Sequence, residues 1–189
     1  MNSMICRPLW LEQAHADLKR HEGFRPYAYP DPLSPLGQKH GSKFGYKPAR
    51  EVLATLGADA KLDGGPWTVG YGFTGEDITK DSKMTQAEAD DHLYTEIMSH
   101  SYGLNDLVPD WGNAPLYVQT VLVNLIFNMG KAGLAKFTNS LKLFNEKKYQ
   151  QASENLKKSL WYKQTGSRAR ELTARLSAGA IPSNFAVII

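Results

Sequence analysis

The chain has 189 residues, of which 42% are apolar and 22% are charged, and its formal net charge is +3. This composition suits a single globular domain with a real core, and no apolar run reaches the roughly 18 residues of a membrane span. Cys6 is the only cysteine, which excludes an intramolecular disulfide and a cysteine-rich zinc site. The fragment HEGFR lacks the second histidine of a zinc protease, so we expect neither a metal nor a cofactor.

The charge is distributed unevenly along the chain. Residues 1–130 carry 11 Lys and Arg against 16 Asp and Glu, a balance of −5, whereas residues 131–189 carry 11 against 3, a balance of +8. A basic C-terminal third favours an anionic polymer as partner, either nucleic acid or an anionic cell wall. A solvated, lysine-rich helical surface explains the same charge without any partner.

The first predicted helix runs from Pro8 to about Arg20 or Glu22, with an apolar stripe at helical spacing. Glu22 lies four residues after Leu18 and extends that stripe, so we expect its carboxyl to face the core side. Partial desolvation would raise the pKa of such a carboxyl, as a general acid at neutral pH requires. Gly23 is expected to end the helix.

The next segment is predicted to be mostly extended or irregular. Residues 24–31 are aromatic-rich and extended, and WTVGYGFTG (67–75) is typical of one strand with close-packing glycines. Between them, residues 32–66 contain four prolines and six glycines. We expect this segment to be irregular, with one short helix that begins at Pro48 and ends at Gly57.

The rest of the chain is predicted to be helical. A capping box at Thr85–Glu88 begins a helix that runs to about Tyr102, and residues 116–129 form a helix that is apolar almost all round and therefore buried. Thr138 is predicted to cap the next helix. Two more helices are expected, one over YQQASENLKKSLWY and one over SRARELTARLSAG.

A line of polar residues crosses the central apolar helix. Thr120, Asn124 and Asn128 recur every four residues and therefore share one face. Two interpretations are open: a narrow edge that faces solvent, or a polar strip that lines a ligand groove.

Glu22 and Asp31 form a candidate catalytic pair. One acid at a helix end and one in an extended turn have unlike environments, which is the arrangement that glycoside hydrolases use. The aromatic residues between them suit the faces of sugar rings. By spacing alone this signal is weak, since two acids nine residues apart are common.

Several separated motifs resemble those of the phage-type lysozymes. The matching stretches are Glu22-Gly23, Tyr29-Pro30-Asp31, Thr68-Val69-Gly70-Tyr71-Gly72, NLIFNMG (124–130), FTNSL (137–141), LKKSLWYKQT (156–165) and SRA (167–169). They occur in the family's order and spacing and cover about residues 9–31 and 67–180. The resemblance implies an α+β lysozyme-like fold, with a small sheet-containing N-terminal lobe, a helical C-terminal lobe and a cleft between them.

The same resemblance implies an inverting muramidase that cleaves the β-1,4 bond between N-acetylmuramic acid and N-acetylglucosamine in peptidoglycan. Glu22 would be the proton donor, while Asp31 and the Thr68 hydroxyl would position the water. Arg168 matches the arginine that pairs with the catalytic glutamate. The remaining matched positions, taken as substrate-binding or supporting, are Asn124, Asn128, Tyr29, Gly72 and Phe127.

The chain departs from the family pattern between Asp31 and Thr68, which 36 residues separate here instead of a handful. The extra segment, residues 32–66, could be a cap, a substrate-contacting loop or a partner surface. We expect deletion of the excess between Leu33 and Gly64 to preserve the fold but to change substrate range or partner binding. Asp63, five residues before Thr68, could replace Asp31 if the chain looped back. The expected organisation is one lysozyme-like domain over 1–189. Its small lobe is about 21–84, and its helical lobe is about 85–189 with helix 9–20 packed on it.

The resemblance favours a bacteriolytic, monomeric enzyme with peptidoglycan as its partner. A delivery machine, a holin or an immunity protein are further candidate partners, and neither nucleic-acid binding nor membrane insertion is expected. Without a visible signal peptide, we expect synthesis in the cytoplasm and action in the periplasm after release or delivery. An inactive wall-binding module of the same fold, and a nucleic-acid binder, are the competing interpretations. Whether the protein is an endolysin, a tail lysozyme or a secreted effector domain stays open.

Overall fold

The computed structural model describes residues 7–187, so that Cys6 lies outside the described part. Within this range the chain forms helices and one small antiparallel sheet, which confirms the predicted α+β lysozyme-like class. The helices are α1 (Leu9–Glu22), α2 (Pro35–His40), α3 (Ala49–Leu53), α4 (Gln86–Ser101), α5 (Leu104–Leu107), α6 (Leu116–Ala135), α7 (Thr138–Asn145), α8 (Tyr149–Lys157), α9 (Leu160–Thr165) and α10 (Ser167–Ala178). The strands are β1 (Arg25–Pro30), β2 (Trp67–Gly70) and β3 (Phe73–Thr74). None of the described helices is long and apolar enough to cross a membrane.

The chain divides into two compact units. The sheet unit is Glu22–Leu93, and the helical unit combines the described residues up to His21 with those from Tyr94 onward. The boundary falls inside α4. That helix begins as predicted, because Thr85 and Glu88 exchange the two hydrogen bonds of a capping box.

The sheet has the order β1-β2-β3 and is antiparallel throughout. The stretch 67–75 was predicted as one strand, and this is wrong: β2 and β3 form a hairpin that turns at Tyr71 and Gly72. Gly70 and Gly72 have φ values of 69° and 100°, which residues with a side chain rarely adopt. These glycines therefore make the turn.

Residues 32–66 form an ordered segment with its own small core, contrary to the expected irregular loop. The segment contains α2 and α3, each followed by a 3-10 turn or helix, at Gly41–Lys43 and Gly57–Lys61. The buried hydrophobic side chains of this core are Leu36, Phe44, Ala49 and Val52. They pack against Tyr29 of β1 and Trp67 of β2, so one face of the sheet is covered by the segment. Only α3, next to Pro48, was anticipated from the sequence.

The helical unit is built around α6, whose residues 120–126 are all buried. Gly130 has a φ of 66° and interrupts this helix at the residue where the sequence predicted its end. The expected single helix over 149–162 is wrong, since it breaks into α8 and α9. Ser159 caps α9 by accepting a hydrogen bond from the Tyr162 N–H (3.1 Å). Thr138 is the first residue of α7 rather than its cap, a position taken by Phe137.

Candidate active site

Glu22 is the last residue of α1, and the structure corrects the expected burial of its carboxyl. The stripe of α1 is buried as predicted, with Leu18 fully enclosed, but Glu22 itself is exposed. On a helix of 3.6 residues per turn, both i+3 and i+4 positions can continue a stripe. Here the i+3 residue does so, because the His21 side chain is only 8% exposed. Burial therefore does not distinguish the Glu22 carboxyl from the other exposed acids of the chain.

His21 belongs to an ion network of the helical unit that sequence reasoning missed. Its Nε2 lies 3.1 Å from a carboxylate oxygen of Glu171, which also accepts two hydrogen bonds from Arg20 (2.7 and 2.8 Å). Arg175 donates to Glu171 (2.6 Å) and makes a bidentate pair with Asp17. The i, i+3 and i, i+4 spacings of these charges on α1 and α10 were the available signal. The network fixes the last turn of α1, immediately before Glu22.

Burial disfavours the ionised form of Glu171, but the hydrogen bonds from His21 and Arg20 and the charge of Arg175 outweigh it. The pKa of Glu171 is therefore held well below its usual range. An acid that stays ionised keeps the network intact at neutral pH. It also keeps the His21 side chain in contact with Glu171, at the residue before exposed Glu22.

The sheet brings Tyr29 and Thr68 together. These residues are directly opposite each other in the β1–β2 ladder, so their side chains share one face. Thr68 is buried (7% exposed), and Asp31 follows β1 two residues after Tyr29. Asp31 thus lies two residues after the cross-strand partner of Thr68, and both acids of the predicted pair belong to the sheet unit.

Asp31 and Asp63 lie at the two ends of the extra segment, which meet through backbone hydrogen bonds. The Asp31 N–H donates to the carbonyl oxygens of Gly64 (3.0 Å) and Pro66 (3.1 Å). The Asp31 carboxylate accepts the Leu33 N–H at 2.6 Å, and half-buried Asp31 differs in burial from Asp63, which is exposed. Both acids are thus close to the place where the extra segment leaves and rejoins the sheet.

Tyr29 lies close to charged residues that affect the pKa of its hydroxyl. The guanidinium carbon of Arg25 lies 4.3 Å from the centre of the Tyr29 ring. Burial raises the pKa of the Tyr29 hydroxyl, the charge of Arg25 opposes this, and the negative charge of Glu22 adds to it. Glu22, Arg25 and Tyr29 therefore form one electrostatic group in the sheet unit.

The other predicted site residues lie in the helical unit. Neither interpretation of the polar line fits Thr120 and Asn124, which are fully buried. The Asn124 side chain accepts a long hydrogen bond (3.4 Å) from Arg168, the second residue of α10, which is itself 8% exposed. Asn128 is exposed and accepts a hydrogen bond from the Trp161 indole (2.8 Å). Arg168 belongs to the helical unit and Glu22 to the sheet unit. The pairing of these two side chains stays a prediction.

The remaining site predictions concern a turn, an aromatic residue and metals. Gly72 is exposed at the β2–β3 turn, and half-buried Phe127 has its ring 5.2 Å from that of His100. Among residues 7–187 no group of three histidine, cysteine or acidic side chains could hold a metal ion. The sheet unit by itself offers carboxylates, a threonine hydroxyl, an arginine and aromatic rings.

A small three-stranded antiparallel sheet, in a chain whose other described elements are helices, is consistent with a lysozyme-like fold. The family model named phage lysozyme matches residues 54–178, and the chain belongs to that family. Thr68 and the predicted site residues of the helical unit lie inside the matched range, whereas Glu22 and Asp31 precede it.

Individual relatives match shorter stretches. The chain is 38% and 33% identical over 60 residues to two proteins of Dictyostelium discoideum named "Probable T4-type lysozyme" 2 and 1. It is 32% identical over 118 residues to the pre-baseplate central spike protein Gp5 of Enterobacteria phage T4. These matches take in 32%, 32% and 61% of this chain, but only 35%, 35% and 20% of the respective relatives.

Proposed function

We propose that the protein is a peptidoglycan muramidase that hydrolyses the β-1,4 bond between N-acetylmuramic acid and N-acetylglucosamine. Membership of the phage lysozyme family supports a glycoside hydrolase activity of this kind. The single observation that carries the finer assignment is the sheet unit. It combines an exposed acid at a helix end with a second acid two residues after the cross-strand partner of a buried threonine.

In this proposal Glu22 protonates the leaving glycosidic oxygen, and Asp31 with the Thr68 hydroxyl holds the water that attacks from the opposite face. Arg168 orients the Glu22 carboxyl, and Asn124 supports Arg168 through its hydrogen bond. Tyr29 and Asn128 contact the sugar, together with Phe127, and Gly72 shapes the hairpin turn. No metal or cofactor takes part in these steps.

Replacement of Glu22 by glutamine tests the proposal most directly. The variant keeps the shape of the side chain but removes the proton, so we expect release of reducing sugar from purified peptidoglycan to fall about 100-fold or more. Glu76→Gln, which changes another exposed acid of the same unit, is the matched control and should retain full activity. In the same assay Asp31→Asn should be inactive and Asp63→Asn active. The assignment of Glu22 is wrong if its variant keeps a tenth of the original rate.

The anomer released first tests the water mechanism. A water held by Asp31 and Thr68 attacks from the face opposite the leaving group, so hydrolysis of a β bond should release the α-anomer first. Such an inverting site requires carboxyl groups about 6.5–9.5 Å apart, against about 5–5.5 Å for a retaining one. NMR of a defined oligosaccharide during the first turnovers distinguishes the two. Early β-anomer would identify one of the aspartates as a nucleophile.

The site of action and the delivery route belong to the same proposal. Peptidoglycan is reached in the periplasm, after release through a lesion or injection by a delivery machine. The match to a pre-baseplate spike protein supports delivery by a phage-like machine. Binding to sacculi without release of reducing sugar, by the unmodified protein, would instead indicate a wall-binding module.

A further inference from the structure

Tyr46 is an exposed aromatic residue that the extra segment holds in a fixed place. Its side chain is 66% exposed, although both residues before it are anchored. Phe44 is fully buried in the core of the segment, and the carbonyl oxygen of Gly45 accepts a hydrogen bond from the Tyr27 N–H of β1 (3.1 Å). The segment therefore presents the exposed Tyr46 ring next to β1.

Arg25 lies between this ring and the predicted site. Its guanidinium carbon is 4.3 Å from the ring centre of Tyr29 and 6.0 Å from that of Tyr46. Gly45 fits closely over the arginine stem, because a Cβ there would come within 2.7 Å of the Arg25 Cδ. Within residues 7–187 no hydrogen bond or ion pair engages the Arg25 guanidinium, so its N–H groups are available to a ligand.

Arg25 and Tyr46 belong to the same unit as the residues proposed for catalysis. Arg25 follows Glu22 by three residues in the chain, and Tyr29 is opposite Thr68 in the ladder. The charges of both Glu22 and Tyr46 act on the Tyr29 hydroxyl and raise its pKa in addition to burial. All of these residues belong to the sheet unit.

We propose that Tyr46 and Arg25 form a saccharide-binding subsite, built by the extra segment, for one sugar ring of the glycan strand. The exposed tyrosine ring supplies a face for the C–H side of the sugar, and the guanidinium donates to its hydroxyl or N-acetyl oxygens. In small-molecule sites aromatic side chains provide contact area, and a few placed polar groups fix the orientation of the ligand. The subsite rests on the proposed function, and it gives residues 32–66 a role in substrate binding.

Binding of glycan strands from which an amidase has removed the peptides tests this proposal. The measurement uses the Glu22→Gln protein as parent, by calorimetry, with and without Tyr46→Ala. We expect Tyr46→Ala to weaken binding about 5- to 10-fold, as the loss of one well-placed ring contact does. Tyr46→Phe, which keeps the ring, should bind like the parent. Tyr102→Ala is the matched control, because Tyr102 is a tyrosine of nearly the same exposure (64%) in the helical unit.

The outcomes separate this subsite from the muramidase proposal. In the background with Glu22 intact, Tyr46→Ala should raise KM for peptidoglycan and leave kcat nearly unchanged, with an unaltered melting temperature. If the unmodified protein cleaves peptidoglycan and the Tyr46→Ala variant has the same KM and the same affinity, the subsite is wrong and the muramidase proposal is unaffected. A loss of affinity seen only with peptide-bearing fragments would assign the site to the stem peptide instead. A protein that neither binds nor cleaves the polymer overturns both proposals.

Discussion

Arg175 is the largest side chain that the core of the helical unit encloses completely. Its guanidinium makes a bidentate pair with buried Asp17 (2.5 and 2.8 Å) and a further hydrogen bond to Glu171. A buried ion pair is not by itself evidence of stability, because both charges lose their hydration. Removal of one partner is costly, however, since the other charge then stays buried and uncompensated.

Glu171→Gln should therefore destabilise the protein, by about 2 kcal/mol at pH 7. The pKa of Glu171 is lowered in the folded state, so its contribution is present above the ordinary carboxyl pKa of 4.5 and is lost as the pH falls further. Urea unfolding of both proteins between pH 7 and pH 3 measures this. The difference in unfolding free energy should shrink on acidification below about pH 4.5, and a constant difference would contradict the assigned role.

At this scale, sequence identified residue types better than their surroundings. Glu22 was found from its place at the end of α1, but the stripe continued through His21, and a helical pattern cannot choose between i+3 and i+4. Asn124 was found from its period, yet its partner Arg168 is 44 residues away in sequence. Such long-range partners decide burial, and periodicity within one element does not contain them.

At the scale of elements, the start of the extra segment fixes the backbone of Asp31. The carbonyl oxygen of Asp31 accepts hydrogen bonds from the Ser34 N–H (3.0 Å) and the Ser34 hydroxyl (2.7 Å). Ser34 in turn caps α2 by accepting the Gly37 N–H. Gly37 packs directly on the Asp31 carbonyl, and a Cβ at this glycine would overlap that oxygen. α2 therefore acts as a support for the proposed water-positioning acid.

Gly37→Ala should displace Asp31 and lower both activity and stability, the latter by about 1–3 kcal/mol, as overpacking does. Gly41→Ala is the matched control: Gly41 follows the same helix with a φ of −52°, and a Cβ added there would meet no atom within 4 Å. It should be neutral or slightly stabilising. Thermal melting and release of reducing sugar measure the two effects. Equal behaviour of the two variants would show that α2 does not support Asp31.

Elements with strong local signals were predicted well, and those defined by packing were not. α1, the capping box of α4 and the end of α10 each carry a cap or a glycine at the right place. α2 is only six residues long, rich in proline and glycine in its surroundings, and exists because Leu36 enters a core with Phe44. The break between α8 and α9 depends on one serine cap, which a continuous helical pattern conceals.

At the scale of the molecule, the core of the extra segment changes what its removal should do. The sequence suggested that the fold would survive deletion of the excess between Leu33 and Gly64. The packing argues against this, because Leu36, Phe44 and their neighbours cover Tyr29 and Trp67 of the sheet, and Asp31 is bonded to Gly64 and Pro66. Without the segment these groups would be exposed or unpaired. The extra segment thus contributes to the stability of the sheet unit.

Phe44→Ala tests whether the two units have separate stabilities. Phe44 is fully buried, and its truncation should cost about 3–5 kcal/mol of unfolding free energy in the sheet unit. The core of the helical unit is composed of other residues, around α6 and α10, so its backbone amides should keep their protection. Hydrogen exchange followed by mass spectrometry resolves the two. We expect faster exchange in peptides from β1 to β3 and unchanged exchange in peptides from α6 and α10.

Leu156→Ala, in the helical unit, should give the opposite pattern, because Leu156 is buried on α8. If both variants accelerate exchange throughout the chain, the protein unfolds as one cooperative body. Phe44→Ala would then lower activity through global unfolding of the protein.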